Sequence, residues 1–172
     1  MKTAYIALGS NLGDREHYLF SALKALSLLN GTHLKKVSKV YETEPVGCVD
    51  PEPYLNMCAE IETELSPLAL LGALLGIEAA NGRERPYTNC PRTLDLDLLI
   101  YENERMNTRE LTIPHPRMAE RAFVLVPLSD IKANLKFGEF DFSSEYEKLS
   151  KDGVYEYKLK NKELISLIES LA

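Results

Sequence analysis

Cysteine is scarce in this chain. Cys48, Cys58 and Cys90 stand apart with no CxxC pair, which excludes a disulfide framework and a zinc site and fits a reducing compartment with free, buried thiols. A basic excess is also missing. Twenty Lys and Arg against 26 Asp and Glu leave a net charge of −6, so a general nucleic-acid binder is excluded and any anionic ligand must be held by local cations. Long apolar runs are absent too: the longest charge-free stretch, Leu65 to Ile77, has 13 residues including one Pro and two Gly, too few to span a bilayer. Ser10, Asn11 and Asp14 come too early for a signal-peptide core, and neither repeats nor low-complexity segments occur. A soluble cytoplasmic protein is expected. With 172 residues, 45% of them hydrophobic, the chain suffices for one domain over 1–172.

What is present falls into alternating elements. Thr3 to Gly9 reads as a buried strand that breaks at Gly9-Ser10-Asn11-Leu12-Gly13-Asp14. This glycine turn has neither a GxGxxG nor a GxxxxGK[ST] pattern, so a phosphate loop and a plain permissive turn both fit. Leu19, Ala22, Leu23, Leu26 and Leu29 then recur at helical spacing, and Asn30-Gly31 stops the helix. Leu34 to Val46 reads as extended and Cys48 to Pro53 as a loop. In Tyr54 to Glu64 strict alternation puts Leu55, Met57, Ala59, Ile61 and Thr63 on one strand face. Ser66-Pro67 supplies an N-cap and a first-turn Pro for a helix that carries Glu78 and stops at Asn81-Gly82. After a loop from Arg83, Pro91 to Ile100 reads as a strand.

The order β-α-β-β-α-β predicts an α+β, ferredoxin-like fold: an antiparallel sheet with two helices on one face and the opposite face free for a site. C-terminal additions follow. They comprise a hairpin turn at Glu102-Asn103-Glu104, an extended loop from Thr112 to Pro116 and a helical turn from Arg117 to Arg121. A late strand at Val154 to Leu159 and an amphipathic helix over Lys162 to Leu171 end the chain, and beyond about residue 130 no chemical motif is legible.

The chemistry concentrates in Pro91-Arg92-Thr93-Leu94-Asp95-Leu96-Asp97-Leu98. Alternation puts Leu94, Leu96 and Leu98 on one face and Asp95 and Asp97 on the other, roughly 7 Å apart at Cα. Two carboxylates about 5 Å apart repel by roughly 3 kcal/mol at an effective dielectric near 20. Arg92 or a divalent metal would offset that, unless the pair simply faces water. Arg83, Arg85 and Arg92 outnumber the one acid, Glu84, in the preceding loop, and their planar forks suit phosphate. Acids for Mg²⁺ beside arginines for phosphate equip a site for phosphoryl or nucleotidyl transfer. His115, between two prolines, can donate to a phosphate or lie solvated. Tyr54 and Asn56 suit a flat heterocycle, with a core Tyr and a surface Asn as the alternative.

These residues fall into a family pattern. Tyr5 to Gly13, Tyr41 to Gly47, Tyr54-Leu55-Asn56, Gly82-Arg83-x-Arg85, Pro91-Arg92-Thr93-Leu94-Asp95-Leu96-Asp97 and Pro114-His115-Pro116-Arg117-Met118 with Arg121 and Phe123 resemble 6-hydroxymethyl-7,8-dihydropterin pyrophosphokinases of folate biosynthesis. The resemblance runs from residue 4 to about 130, leaving 131–172 as a C-terminal extension of the same domain. It implies transfer of diphosphate from ATP to the pterin hydroxymethyl group, with two Mg²⁺ held by Asp95 and Asp97. Arg83 and Arg92 would hold phosphates and, with the two Asp, form the catalytic set. Arg85 would close over ATP, with Glu78, Thr112, His115 and Arg121 also on the ATP side. Thr43, Val46, Tyr54, Asn56 and Phe123 would form the pterin pocket. The implied partners are ATP and the pterin, with neither nucleic acid nor membrane, in a monomer.

Three positions depart from the pattern. Asn89-Cys90 replaces a frequent Trp-Gly in a loop one residue shorter, Leu75 stands where a Gln can serve the nucleotide, and Pro116 where some members have Tyr. An altered nucleotide lid is expected. A nucleotidyltransferase would place its Gly-Ser and Asp-x-Asp within about a dozen residues, whereas here Gly9-Ser10 and Asp95-x-Asp97 lie far apart. An RNA-recognition module is disfavoured by the acidic balance and the lack of its aromatic signature.

Overall fold

The computed structural model describes residues 1–44, 52–84 and 91–171. In Lys2–Ser10 (β1), Ala4, Ile6 and Leu8 point into one core and Tyr5 into another on the opposite face. Asp14 caps Arg15–Leu28 (α1) by accepting from the His17 N–H at 3.1 Å, and Leu19, Leu23 and Leu26 are fully buried against the sheet. Burying each such side chain contributes about 2 kcal/mol.

The extended stretch expected over Leu34 to Val46 is two strands, Thr32–Val37 (β2) and Tyr41–Thr43 (β3). Both pair with Tyr54–Thr63 (β4), β3 with its first half and β2 with its second. The break lies at Ser38, whose hydroxyl accepts from the Cys58 N–H at 2.9 Å while its own N–H donates to the Cys58 carbonyl at 2.9 Å. Pro67–Ala80 (α2) starts at Ser66, which accepts from the Ala69 N–H, and Leu70, Leu74 and Ile77 join α1 in the same core. Asp95–Tyr101 (β5) lies beside β1.

The main sheet runs β10-β3-β4-β1-β5 with β2 also on β4, where β10 is Val154–Glu156, and the pairings are antiparallel. The chain is thus mixed α+β, with α1 and α2 on one face. The opposite face is not free as expected. Ala122–Ile131 (α3) lies on it, packing Val124, Leu125 and Leu128 against Tyr5, Cys58, Leu99 and Ile100. Pro127 inside α3 hides that helix from a reading by propensity. Among the described residues, the end of that face near Gly9 and Asp95 opens into a cavity.

The turn at Glu102–Glu104 forms, with the Glu104 N–H donating to the Tyr101 carbonyl at 3.1 Å. It is not a hairpin onto the sheet, because Met106–Asn107 (β6) pairs with Thr112–Ile113 (β7). A short 3-10 turn over Met118–Glu120 precedes α3. Lys136–Phe137 (β8), Phe140–Asp141 (β9) and Ser143–Lys148 (α4) lead to β10, and Lys162–Glu169 (α5) buries Leu164 in the core it shares with α1. Among the described residues no helix is long and apolar enough to cross a membrane.

Candidate active site

Register builds the site floor. On β1, Ala7 lies opposite Asp97 on one side and Cys58 on the other, and Gly9 lies between Asp95 and Asn56. These small residues leave a hollow between flanking polar side chains. A Cβ on Gly9 would come within 3.1 Å of Asn56 Oδ1, so only glycine leaves that amide undisturbed.

Asp95 is held by two arginines, each engaging a different oxygen: Arg83 on Oδ1 and Arg92 on Oδ2. Burial alone would raise its carboxyl, but Arg92 and Arg83 outweigh burial and hold it below the usual range. Asp97 stands differently. It meets Arg121 Nη1 at 3.8 Å and His115 Nε2 at 4.0 Å, too far for direct hydrogen bonds. Burial and the Asp95 charge raise its carboxyl, and the nearby cations compensate only in part. Burial likewise lowers His115, with Arg121 and Arg117 adding to that effect and Asp97 opposing it. The sheet thus carries one carboxylate saturated by arginine and one with room around it.

Further contacts fix these groups. β5 bulges where its register against β1 shifts, between the Leu98 and Ile100 pairings. The Leu99 carbonyl there accepts from the His115 N–H at 2.7 Å, which sets the histidine loop beside Asp97. Arg92 is fixed by Asn11, whose side-chain oxygen accepts from the Arg92 N–H at 2.7 Å while the Asn11 N–H donates to the Arg92 carbonyl at 3.1 Å. The glycine turn therefore buttresses the arginine loop. Glu78, expected on the ATP side, is 1% exposed in the helix–sheet core. Its Oε1 accepts from Arg83 and from the Leu96 N–H at 2.8 Å, so it reaches the site through Arg83.

A cavity of about 530 Å³ opens above the floor. Thr43, Tyr54, Asn56, Arg92, Asp95, Asp97, Arg121 and Phe123 all line it, as the sequence expects of one site. Asn56 Nδ2 donates to Thr43 Oγ1 at 2.7 Å, both side chains being buried, and Arg121 lies 5.5 Å from the Phe123 ring centre. Thr112 sits on β7 and is not among the lining residues. Val46 and Arg85 lie outside the described residues, as do Cys48, Asn89 and Cys90. Sequence reasoning missed Ala7, Arg117 and Glu120, and also the stretch from Leu149 to Val154 that closes one wall. Small size was the signal at Ala7, and the motif position at Arg117; nothing marked the last stretch.

The donor set fits Mg²⁺ brought with a nucleotide. That ion keeps several waters and takes one or two carboxylates plus phosphate oxygens rather than a complete protein cage. Asp95 and Asp97 lie on one face of β5, and no cluster of three or more acidic, His or Cys ligands occurs among the described residues. Ser10 Oγ at the end of β1, and Asn11 Nδ2 and Thr93 Oγ1 on the loops beside Arg92, are buried and meet no hydrogen-bond partner among the described residues.

Known proteins carry the same arrangement of sequence. A Bacillus subtilis (strain 168) 2-amino-4-hydroxy-6-hydroxymethyldihydropteridine pyrophosphokinase is 50% identical over 128 residues, 74% of this chain and 77% of that one. The Haemophilus influenzae protein of that name is 51% identical over 135 residues, covering 78% and 84%. The Methylorubrum extorquens protein is 40% identical over 154 residues, 90% of this chain and 98% of that one, a stretch too long to end at residue 133. Among solved structures, an HPPK-DHPS in complex with substrates superposes with a TM-score of 0.65 at 15% identity, covering 86% of this chain and 44% of that one. Plasmodium falciparum wild-type HPPK-DHPS gives 0.63 at 15%, covering 86% and 43%. The chain thus spans under half of those two proteins, and they speak for the fold alone. Residues 5–133 match the family described as 7,8-dihydro-6-hydroxymethylpterin-pyrophosphokinase (HPPK), and the chain belongs to that family.

Proposed function

We infer that the protein transfers diphosphate from ATP to 6-hydroxymethyl-7,8-dihydropterin, giving AMP and the pterin diphosphate for tetrahydrofolate synthesis. The scaffold is a split βαβ, ferredoxin-like core, and the whole of 1–172 acts as one domain. The observation that carries the assignment is the acidic pair on β5: Asp95 clamped by Arg83 and Arg92, Asp97 with open space around it, both lining the cavity that holds Tyr54, Asn56 and Phe123.

Two Mg²⁺ held by Asp95 and Asp97 would neutralise phosphate charge and acidify the attacking hydroxyl. The protein's side chains do the rest. Thr43, Val46, Tyr54, Asn56 and Phe123 form the pterin pocket, with Asn56 reading the polar edge and Tyr54 and Phe123 enclosing the ring. Arg92 and Arg83 transfer part of their hold from Asp95 to the phosphates, where bidentate N–H donors match developing charge. Arg121 and His115 reach the same phosphates from the other side of Asp97, with Thr112 at the nucleotide's edge, and Arg85 closes over ATP. Glu78 serves the nucleotide by orienting Arg83. Positioning and charge neutralisation supply most of the acceleration, as in other phosphoryl transfers. The protein works as a cytoplasmic monomer and requires no nucleic acid or membrane. Product analysis tests the assignment: AMP with a diphosphorylated pterin is expected, and ADP or free diphosphate would overturn it.

A further inference from the structure

Arg15 touches no cavity-lining group of the acidic pair, yet it joins three segments that converge behind the cavity. Its Nη1 donates to the Pro53 carbonyl at 2.7 Å and pairs with Glu42 Oε2 at 2.9 Å. Its guanidinium also lies 5.8 Å from the Tyr157 ring centre. Glu42 immediately precedes Thr43 and Pro53 immediately precedes Tyr54, so one guanidinium holds the residues next to two cavity-lining side chains. Alternation along β3 puts Tyr41 and Thr43 on the cavity side and Glu42 on the α1 side. On the cavity side Tyr41 donates to Asp130 at 2.9 Å. The strand is therefore gripped from both faces.

That grip matters because β3 is only three residues long. Its ladder to β4 ends with Thr43 opposite Tyr54 and its ladder to β10 covers the same three residues, so Arg15 acts at the last rung of a short ladder. Arg15 is itself pre-set. The adjoining Glu16 is buried and accepts from Tyr157 Oη at 3.1 Å, the Lys160 N–H at 2.9 Å and the Asn161 N–H at 2.7 Å, fastening Tyr157 and the chain just after it to the start of α1.

We propose that Arg15 is a positioning residue for the pterin subsite: by stapling Glu42 to Pro53 it fixes the spacing between Thr43 and Tyr54, and so sets pterin affinity without touching pterin or ATP. The proposal rests on the assignment of Thr43, Tyr54 and Asn56 to the pterin. A staple differs from a general stabiliser in its selectivity, since the ATP-side groups are held by Asn11, Glu78 and Leu99 instead.

The test measures binding of 6-hydroxymethylpterin by fluorescence in the presence of a non-hydrolysable ATP analogue and Mg²⁺, and binding of the ATP analogue alone by calorimetry. Arg15→Met is expected to weaken pterin binding about tenfold while changing nucleotide binding less than about twofold, and Arg15→Lys to recover part of the loss. A tenfold change corresponds to about 1.4 kcal/mol. Glu42→Gln cuts the same ion pair from the strand side, should reproduce the selectivity, and serves if Arg15→Met does not fold. Equal weakening of both ligands, or of neither, would overturn the staple. Asn56→Ala is the reference: if it weakens pterin binding and Arg15→Met does not, the staple alone falls. If Asn56→Ala leaves pterin binding intact, the subsite assignment falls and takes the staple with it.

Discussion

Removing the Glu78 carboxylate separates a structural role from direct contact with nucleotide. β5 is the last strand of the sheet path, so its outward backbone groups need partners where α2 covers them. Glu78 accepts from the Leu96 N–H at 2.8 Å, and Arg83 donates to the Leu94 carbonyl at 3.2 Å. The side chains of Glu78 and Arg83 are 2% and 8% exposed, so their pairing is shielded from solvent. Glu78→Ala orphans a buried N–H, at about 1–3 kcal/mol. It also strips a buried guanidinium of one of two carboxylates, which costs less than the roughly 3–5 kcal/mol of a fully broken pair because Asp95 remains. Together these come to about 4 kcal/mol. At about 2–4 °C per kcal/mol for a chain of this size, the melting temperature should fall by about 8–16 °C. Glu78→Gln keeps the acceptor and should lose roughly half as much. Urea unfolding with ATP kinetics on both variants decides the matter: turnover should fall with little change in KM for ATP. Stability within about 0.5 kcal/mol of the parent, combined with a raised KM for ATP, would refute the reasoning and put Glu78 in contact with the nucleotide.

Other outcomes follow from the same geometry. Asn11→Ala leaves the Arg92 N–H without its 2.7 Å acceptor and should cost about 1–3 kcal/mol in urea unfolding while lowering turnover through a misplaced Arg92. With Cys48 and Cys90 changed to Ser, the native protein at pH 8 should resist a thiol reagent that labels it fully in denaturant, because burial pushes the Cys58 thiol up and leaves it protonated. Carboxyl NMR on the metal-free protein should show Asp97 titrating at higher pH than Asp95. Asp95, held down by its arginines, contributes stability that is present above the ordinary carboxylate range and lost as pH falls through its lowered value. Asp97, held up by burial, opposes folding at neutral pH and ceases to do so once protonated. An inverted titration order would contradict the arrangement.

Where local pattern and tertiary packing agree, the chain is readable from its residues. The Leu19-Leu23-Leu26 stripe, the Ser66-Pro67 start and the Leu94-Leu96-Leu98 alternation each carry a period that burial then rewards. The Asp-x-Asp pair needs only that alternation to reach one face. Elements set by distant partners were less readable. α3 carries a mid-helix proline and is held by Tyr5, Cys58 and Ile100 from three separate strands. The break at Ser38 depends on its hydroxyl and its N–H bonding the backbone of Cys58, twenty positions away. The role of Asn11 needs Arg92, and the wall from Leu149 to Val154 needs β10 to find β3, neither of which sequence spacing announces. The Glu102 turn is locally encoded, but the partner of the strand after it is not.

On the proposed function, Asp95 and Asp97 organise Mg²⁺ and ATP for diphosphate transfer. A single-turnover assay with Mg²⁺, ATP and 6-hydroxymethyl-7,8-dihydropterin, comparing the parent with Asp97→Ala, tests it most directly. Loss of several kcal/mol of charge stabilisation should slow the chemical step by about a thousandfold or more, with AMP the parent's nucleotide product. Turnover in Asp97→Ala within a few-fold of the parent would contradict the account.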